Sequence, residues 1–169
     1  MKITKGALKK LIKEAIEGND ILPERPWSVE YEFKMSGGTA SDSEGESPDG
    51  FSVSLEGQSG SRLEIVVDAY WNPQSGDQSG NSIKAVLDGE EMDSSYVPVK
   101  FNDGKSQRLL ISNSPVKKVI LVSHGASGKP PIAYLVIQNP FSDEDDIEFN
   151  VNSLGNGKVD VKMVNFINL

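Results

Sequence analysis

The chain has no cysteine, one histidine, two tryptophans and no long apolar run. Each shortage excludes something. Without cysteine there are no disulfides, no thiolate zinc site and no thiol nucleophile. A single histidine, His124, leaves little for general acid–base work, and the plentiful carboxylates sit in loops, so the expectation is no enzymatic activity. No apolar stretch approaches the ~20 residues of a transmembrane helix. The longest apolar run near the N-terminus, Leu11-Ile12, is too short for the apolar stretch of a secretory signal. There is no N-x-[ST] sequon either. The expectation is a protein made and kept in the cytoplasm unless a larger assembly carries it out.

Basic residues are also scarce. Lys and Arg number 17 against 25 Asp and Glu, giving a net charge of −8 and a pI near 4.7. Phosphate backbones need clustered cations, so nucleic-acid binding by the body is disfavoured. Hydrophobic residues make up 37% of the chain, and 16 Gly with 9 Pro imply many turns. A length of 169 residues suits one domain with a real core.

What is present divides in two. Residues 1–18 carry five Lys against two Glu, whereas everything after them is strongly acidic. Leu8, Leu11, Ile12, Ala15 and Ile16 follow the i, i+3, i+4, i+7, i+8 spacing of one helical face. Lys5, Lys9 and Lys13 run down another. Thr4 suits an N-cap, Ile3 and Leu8 suit a hydrophobic staple, and Gly18 suits the helix end. Gly6 weakens the helix. A helix this short is marginal alone in water, so it needs a surface to dock on: its own body, a neighbouring subunit or another surface. Residues 19–26 read as a linker stiffened by Pro23 and Pro26.

From Trp27 onward the period changes to two. Trp27 to Met35, Phe51 to Leu55, Ile83 to Leu87 and Ile147 to Val151 alternate apolar and polar residues, as half-buried strands do. Leu63 to Trp71, Tyr96 to Phe101, Arg108 to Ile111, Val116 to Val122, Ile132 to Ile137 and Val159 to Met163 also read as extended. Residues 36–50 and 72–81 read as Gly/Ser loops. Asp88-Gly89 signals a tight turn. The last two strands, around Gly155-Asn156-Gly157, read as a hairpin. Nine or ten short strands predict an all-β domain over 27–169, an antiparallel β-sandwich or jelly roll, with one N-terminal amphipathic helix.

The candidate chemistry is thin. Ser123-His124-Gly125-Ala126-Ser127-Gly128-Lys129 matches neither a nucleophile elbow nor a phosphate loop, and it reads as a surface loop. Three acidic clusters could hold calcium, which wants six to eight oxygens on a flexible loop. They are Asp42, Glu44, Glu46 and Asp49; Asp88, Glu90, Glu91 and Asp93; and Asp143, Glu144, Asp145 and Asp146. The last is the best of them, because adjacent carboxylates repel without a counter-ion. Asp143, Asp145 and Asp146 are its expected ligands. No other cofactor is expected. Trp27, Tyr70, Trp71, Tyr96 and Tyr134 are the rings available for a sugar platform.

Met1-Lys2-Ile3-Thr4-Lys5 followed by Leu8-Lys9-Lys10-Leu11-Ile12-Lys13-Glu14 resembles the short Lys-rich leaders of large tailed-phage proteins. Ile12-Lys13-Glu14-Ala15 is similar to the [LI]-x-E cut of phage prohead proteases. The resemblance covers about a tenth of the chain. It implies a virion component, made in the host cytoplasm. Its β-module would be anchored to other structural subunits, in a homo-oligomer or a large assembly, through Lys5, Leu8, Lys9, Leu11, Ile12, Lys13 and Ile16. The competing expectation is a carbohydrate-binding β-sandwich module, with calcium as its candidate cofactor.

Overall fold

The computed structural model describes residues 26–36, 48–69, 81–114, 117–126, 128–142, 145–155 and 158–168. The predicted N-terminal helix, its seven candidate contact residues and the ring pair Tyr70-Trp71 lie outside the described residues. Ten strands follow in order: β1 Trp27–Ser36, β2 Pro48–Gly57, β3 Arg62–Asp68, β4 Ser82–Leu87, β5 Glu90–Tyr96, β6 Gln107–Ser114, β7 Val119–Ala126, β8 Ala133–Gln138, β9 Ile147–Gly155 and β10 Lys158–Asn168. They form two five-stranded antiparallel sheets. The first has the order β10-β1-β6-β7-β8 and the second β5-β4-β3-β2-β9. The all-β antiparallel sandwich is thus as the alternation predicts. Among the described residues no helix is long and apolar enough to cross a membrane.

The core is the sum of the alternating faces. Val29, Tyr31, Phe33 and Met35 of β1 meet Phe51, Val53 and Leu55 of β2 and Leu63, Ile65 and Val67 of β3, all buried. The rings of Phe33 and Phe51 lie 4.9 Å apart. Leu109, Ile111, Ile120, Val122, Ala133, Leu135 and Ile137 continue the first sheet's inner face. Period-two burial places one side of each strand in this layer and the other outside.

Three sequence expectations need correction. The strand expected over Tyr96 to Phe101 is instead β5, from Glu90 to Tyr96, whose side chains are nearly all exposed. It is an edge strand, so it has no buried face to produce alternation, and pairing with β4 decides it. The stretch around His124 is not a surface loop: β7 runs through it, and His124 is buried. The last two strands are not a hairpin. β9 pairs with β2 and β10 pairs with β1, so the short connection crosses between the sheets. β10 lies beside the buried row of β1 and β9 beside that of β2.

Register sorts the connections. The segments 37–47, 69–81, 97–106, 127–132 and 156–157 all join strands at one end, here the rim. The opposite end carries tighter hairpins. Gly60 N–H donates to the Gly57 carbonyl at 2.9 Å. Asp88 and Gly89 both take positive φ, 49° and 91°, as a two-residue hairpin requires.

Candidate functional site

The long rim connections sit where a rigid scaffold usually presents binding groups. The 97–106 segment is pinned from below. Gln107, buried at the start of β6, donates from Nε2 to the carbonyls of Lys100 (3.1 Å) and Phe101 (3.3 Å). Its Oε1 then accepts from His124 Nε2 at 2.7 Å, which sets the neutral tautomer with the proton on Nε2. The imidazole lies among the rings of Phe101 (5.1 Å) and Phe33 (5.8 Å), and its Nδ1 has no protein partner. Burial pushes its pKa down to about 4. His124 therefore shapes the rim and does not face it.

Other contacts hold the same segment. Asn81 accepts from Phe101 N–H at its side-chain oxygen (3.0 Å) and from Val97 N–H at its carbonyl (2.9 Å). Gly104 N–H donates to the Met35 carbonyl at 3.0 Å. Asp103 accepts from Lys105 N–H at 2.9 Å and pairs with its ammonium at 3.0 Å. Slight desolvation raises the Asp103 pKa, but these Lys105 contacts outweigh it and the net shift is downward. At the next connection a Cβ on Gly125 would come within 3.0 Å of Pro130 O, so glycine permits the close approach there.

Just below this rim an open groove of about 480 Å³ runs along the outer face of the first sheet, between β1 and β10. Glu32, Lys34, Asp160, Lys162 and Ser106 supply its polar groups. Register sets Glu32 opposite Lys162 and Lys34 opposite Asp160. Among the described residues neither cross-strand pair closes into an ion pair; Glu32 instead lies 3.8 Å from Arg108, which also holds Glu30 at 2.9 Å. Two carboxylates, two ammonium groups and a hydroxyl thus line one groove. Acceptors and donors alternating at this spacing suit a ligand rich in hydroxyl groups.

The predicted rings do not make one platform. Trp27 is half-buried, edge-on to Phe149 at 5.1 Å. Tyr96 and Tyr134 are each 61% exposed. Tyr96 pairs with Ser82 on the outer face of the second sheet, whereas Tyr134 pairs with Ser123 on the outer face of the first.

The expected calcium loop lies at the other end of the molecule. Asp143 is outside the described residues. Asp145 accepts from Ser59 N–H (2.8 Å), Ser59 Oγ (2.9 Å) and Ser142 N–H (2.8 Å). The Ser142 N–H is the largest of the influences that hold its carboxyl below the usual range. Asp146 accepts from Gln58 Nε2 at 3.2 Å. Donor hydrogens point at these oxygens, so the local chemistry ties Asp145 and Asp146 to the β2–β3 hairpin and does not itself form a cation cage. Of the second acidic cluster, Asp88 accepts from Arg62 N–H at 2.9 Å. Among the described residues no three His, Asp or Glu side chains converge as metal ligands. The groove residues were not singled out in the sequence. The cross-strand placing of Glu32 and Lys34 against Asp160 and Lys162 depends on β10 pairing with β1, which no local pattern reveals.

No protein-family model matches the sequence, and no match is found among curated proteins. Solved structures do match in fold. The exoplasmic/lumenal domain of VIP36, in a Ca2+/Man3GlcNAc-bound form, aligns with a TM-score of 0.59 at 13% identity, over 85% of this chain and 67% of that one. Peanut lectin with a nine-residue peptide gives 0.60 at 10% identity, over 85% and 70%. Lectin I from Ulex europaeus, with the methyl glycoside of α-L-fucose, gives 0.58 at 11% identity, over 84% and 70%. The chain has a legume-lectin-like two-sheet fold. This likeness overturns the virion-component reading and the phage vocabulary that went with it. That reading rested on residues 1–15, whereas the likeness covers most of the chain, where the fold resides.

Proposed function

We propose that this protein is a carbohydrate-binding module, with the polar groove between β1 and β10 as its sugar site. The observation that carries the reading is the fold: the matching sandwiches include the VIP36 domain in a Man3GlcNAc-bound form and a Ulex europaeus lectin holding the methyl glycoside of α-L-fucose. The groove supports it chemically. Glu32 and Asp160 can accept from sugar hydroxyls, Lys34 and Lys162 can donate to them, and Ser106 can do both. On this reading the groove holds a sugar without transforming it, and the single histidine, buried against Gln107, takes no part.

A screen of the full chain on immobilised glycans tests the reading. The expected result is saturable binding to a subset of glycans, weakened at least tenfold by Lys34→Ala or Asp160→Ala while the melting temperature holds. Binding that survives both substitutions moves the site off the groove. Absence of binding to any glycan, with calcium supplied, sinks the lectin reading. Calcium belongs to the proposal because VIP36 is described in a Ca2+-bound form.

A further inference from the structure

Each five-stranded sheet has two edge strands, and three of these four carry charges that discourage further pairing. β5 turns Glu90 and Asp93 toward the core side, opposite Leu87 and Ala85. β9 carries Glu148, and β10 carries Asp160 and Lys162. β8 has no charged residue. Its outward side chains Tyr134 and Val136 are 61% and 59% exposed. Leu121 and Leu110, at 39% and 37%, extend the same outer surface across β7 and β6. The backbone of this edge is open as well, because among the described residues β8 pairs only with β7. Asn139 N–H donates to the Lys118 carbonyl at 2.9 Å, in the register of that pair. Bonded and non-bonded pairs alternate along an antiparallel ladder. Leu135 and Ile137 therefore turn their backbone polar groups to β7, whereas Tyr134, Val136 and Gln138 turn theirs away from it.

We propose that two copies of this chain pair β8 against β8, antiparallel about a two-fold axis at Leu135, and so join their first sheets into one. Self-complementarity selects a second copy as the occupant. With the axis there, Tyr134 of one copy stands opposite Val136 of the other and Ala133 opposite Ile137, so each residue meets one from its own face of the sheet. Tyr134 and Val136 are also the positions whose N–H and C=O groups point off the edge, so they fall on hydrogen-bonded pairs. Each pair adds an aromatic–β-branched contact on the outer surface. Pro131 and Pro140 bound the strip, since neither can donate. Charge agrees. The chain is net −8, yet no Asp or Glu occurs from Gly104 to Ser142, the stretch that builds β6, β7 and β8. β8 thus meets its copy without carboxylate repulsion along that sheet. β5 lies over β8 across the sandwich. The two-fold then brings exposed Lys129, just before one copy's β8, to the end where the other's β5 begins with Glu90 and Glu91. The exposed apolar side chains and the backbone strip amount to on the order of 500 Å² per copy, the size of a weak, reversible dimer. The inference is independent of the sugar-binding reading.

Sedimentation of the full chain from about 1 µM to about 1 mM tests the pairing. The expected result is a reversible monomer–dimer equilibrium. Val136→Lys places a charge on the open edge and should raise the dissociation constant at least tenfold with Tm unchanged, whereas Val164→Lys on the β10 edge leaves the constant as it was. Hydrogen exchange at the Tyr134 and Val136 amides should slow at least fivefold between the monomeric and dimeric concentrations. That measurement uses the unaltered chain, so it decides even where a variant fails to fold. A chain that stays monomeric throughout overturns the proposal. A dimer that Val136→Lys leaves intact, or whose formation does not slow exchange at those two amides, overturns it too, because the copies then meet elsewhere.

Discussion

At neutral pH the His124 ring is uncharged, and its burial makes acid a specific stress. Its ordinary pKa of 6.5 falls to about 4 in the fold. Between those values the unfolded chain takes a proton that the native chain refuses. Stability is therefore unaffected above pH 6.5 and falls steadily toward pH 4, by up to about 3 kcal/mol. Denaturant titrations across this window should show the loss, and His124→Gln should flatten it. The carboxylates act lower down. Asp145 and Asp103, held below 3.8, contribute stability above that value that is lost as the pH drops through their folded values. Gly50 is the other sensitive residue. It takes φ of 137°, and a Cβ would stand 1.9 Å from the Val67 carbonyl oxygen. Gly50→Ala should cost at least about 2 kcal/mol, read as a lower midpoint in a thermal melt.

Strands with a buried face were legible from alternation alone, and β1 is the clearest. β5 was not, because an edge strand exposed on both faces has only its backbone ladder with β4 to define it. β7 was read as ending at Val122 because a polar triplet, Ser123-His124-Gly125, looks like a loop until Gln107 is seen to accept from the imidazole. The rim is likewise a product of tertiary contact. Asn81→Ala removes the acceptor for Phe101 N–H, so it should cost about 1 kcal/mol and speed hydrogen exchange at the Phe101 amide. At the opposite end Asp145→Ala should lower Tm, since two hydrogen bonds from Ser59 tie that carboxylate to the β2–β3 hairpin and a third, from Ser142 N–H, holds it locally.

For the whole molecule the lectin reading makes calcium a ligand of the native state. A ligand bound only by the folded chain raises Tm by mass action. On the lectin reading, millimolar calcium should raise the melting temperature relative to chelator. Asp145→Asn should leave most of that rise in place, because the Asp145 oxygens are already hydrogen-bonded to Ser59 and Ser142. Identical melts with calcium and chelator would remove the metal from the proposal while leaving the sugar test standing.

The amino-acid sequence by itself determined the class of this protein. Alternation from Trp27 to Met35, from Phe51 to Leu55 and from Ile147 to Val151 can bury a face only in sheets, and the Asp88-Gly89 turn is written into two residues. The absence of cysteine and the isolation of His124 are equally direct. Tertiary structure decided which strand lies beside which. Pairing of β10 with β1 assembles the groove of Glu32, Lys34, Asp160 and Lys162, and pairing of β9 with β2 sends the two last strands to different sheets. Strand pairing is a contest among partners far apart in the chain, settled by which inward rows bury one another. A local period of two records that a face is buried, and not against what.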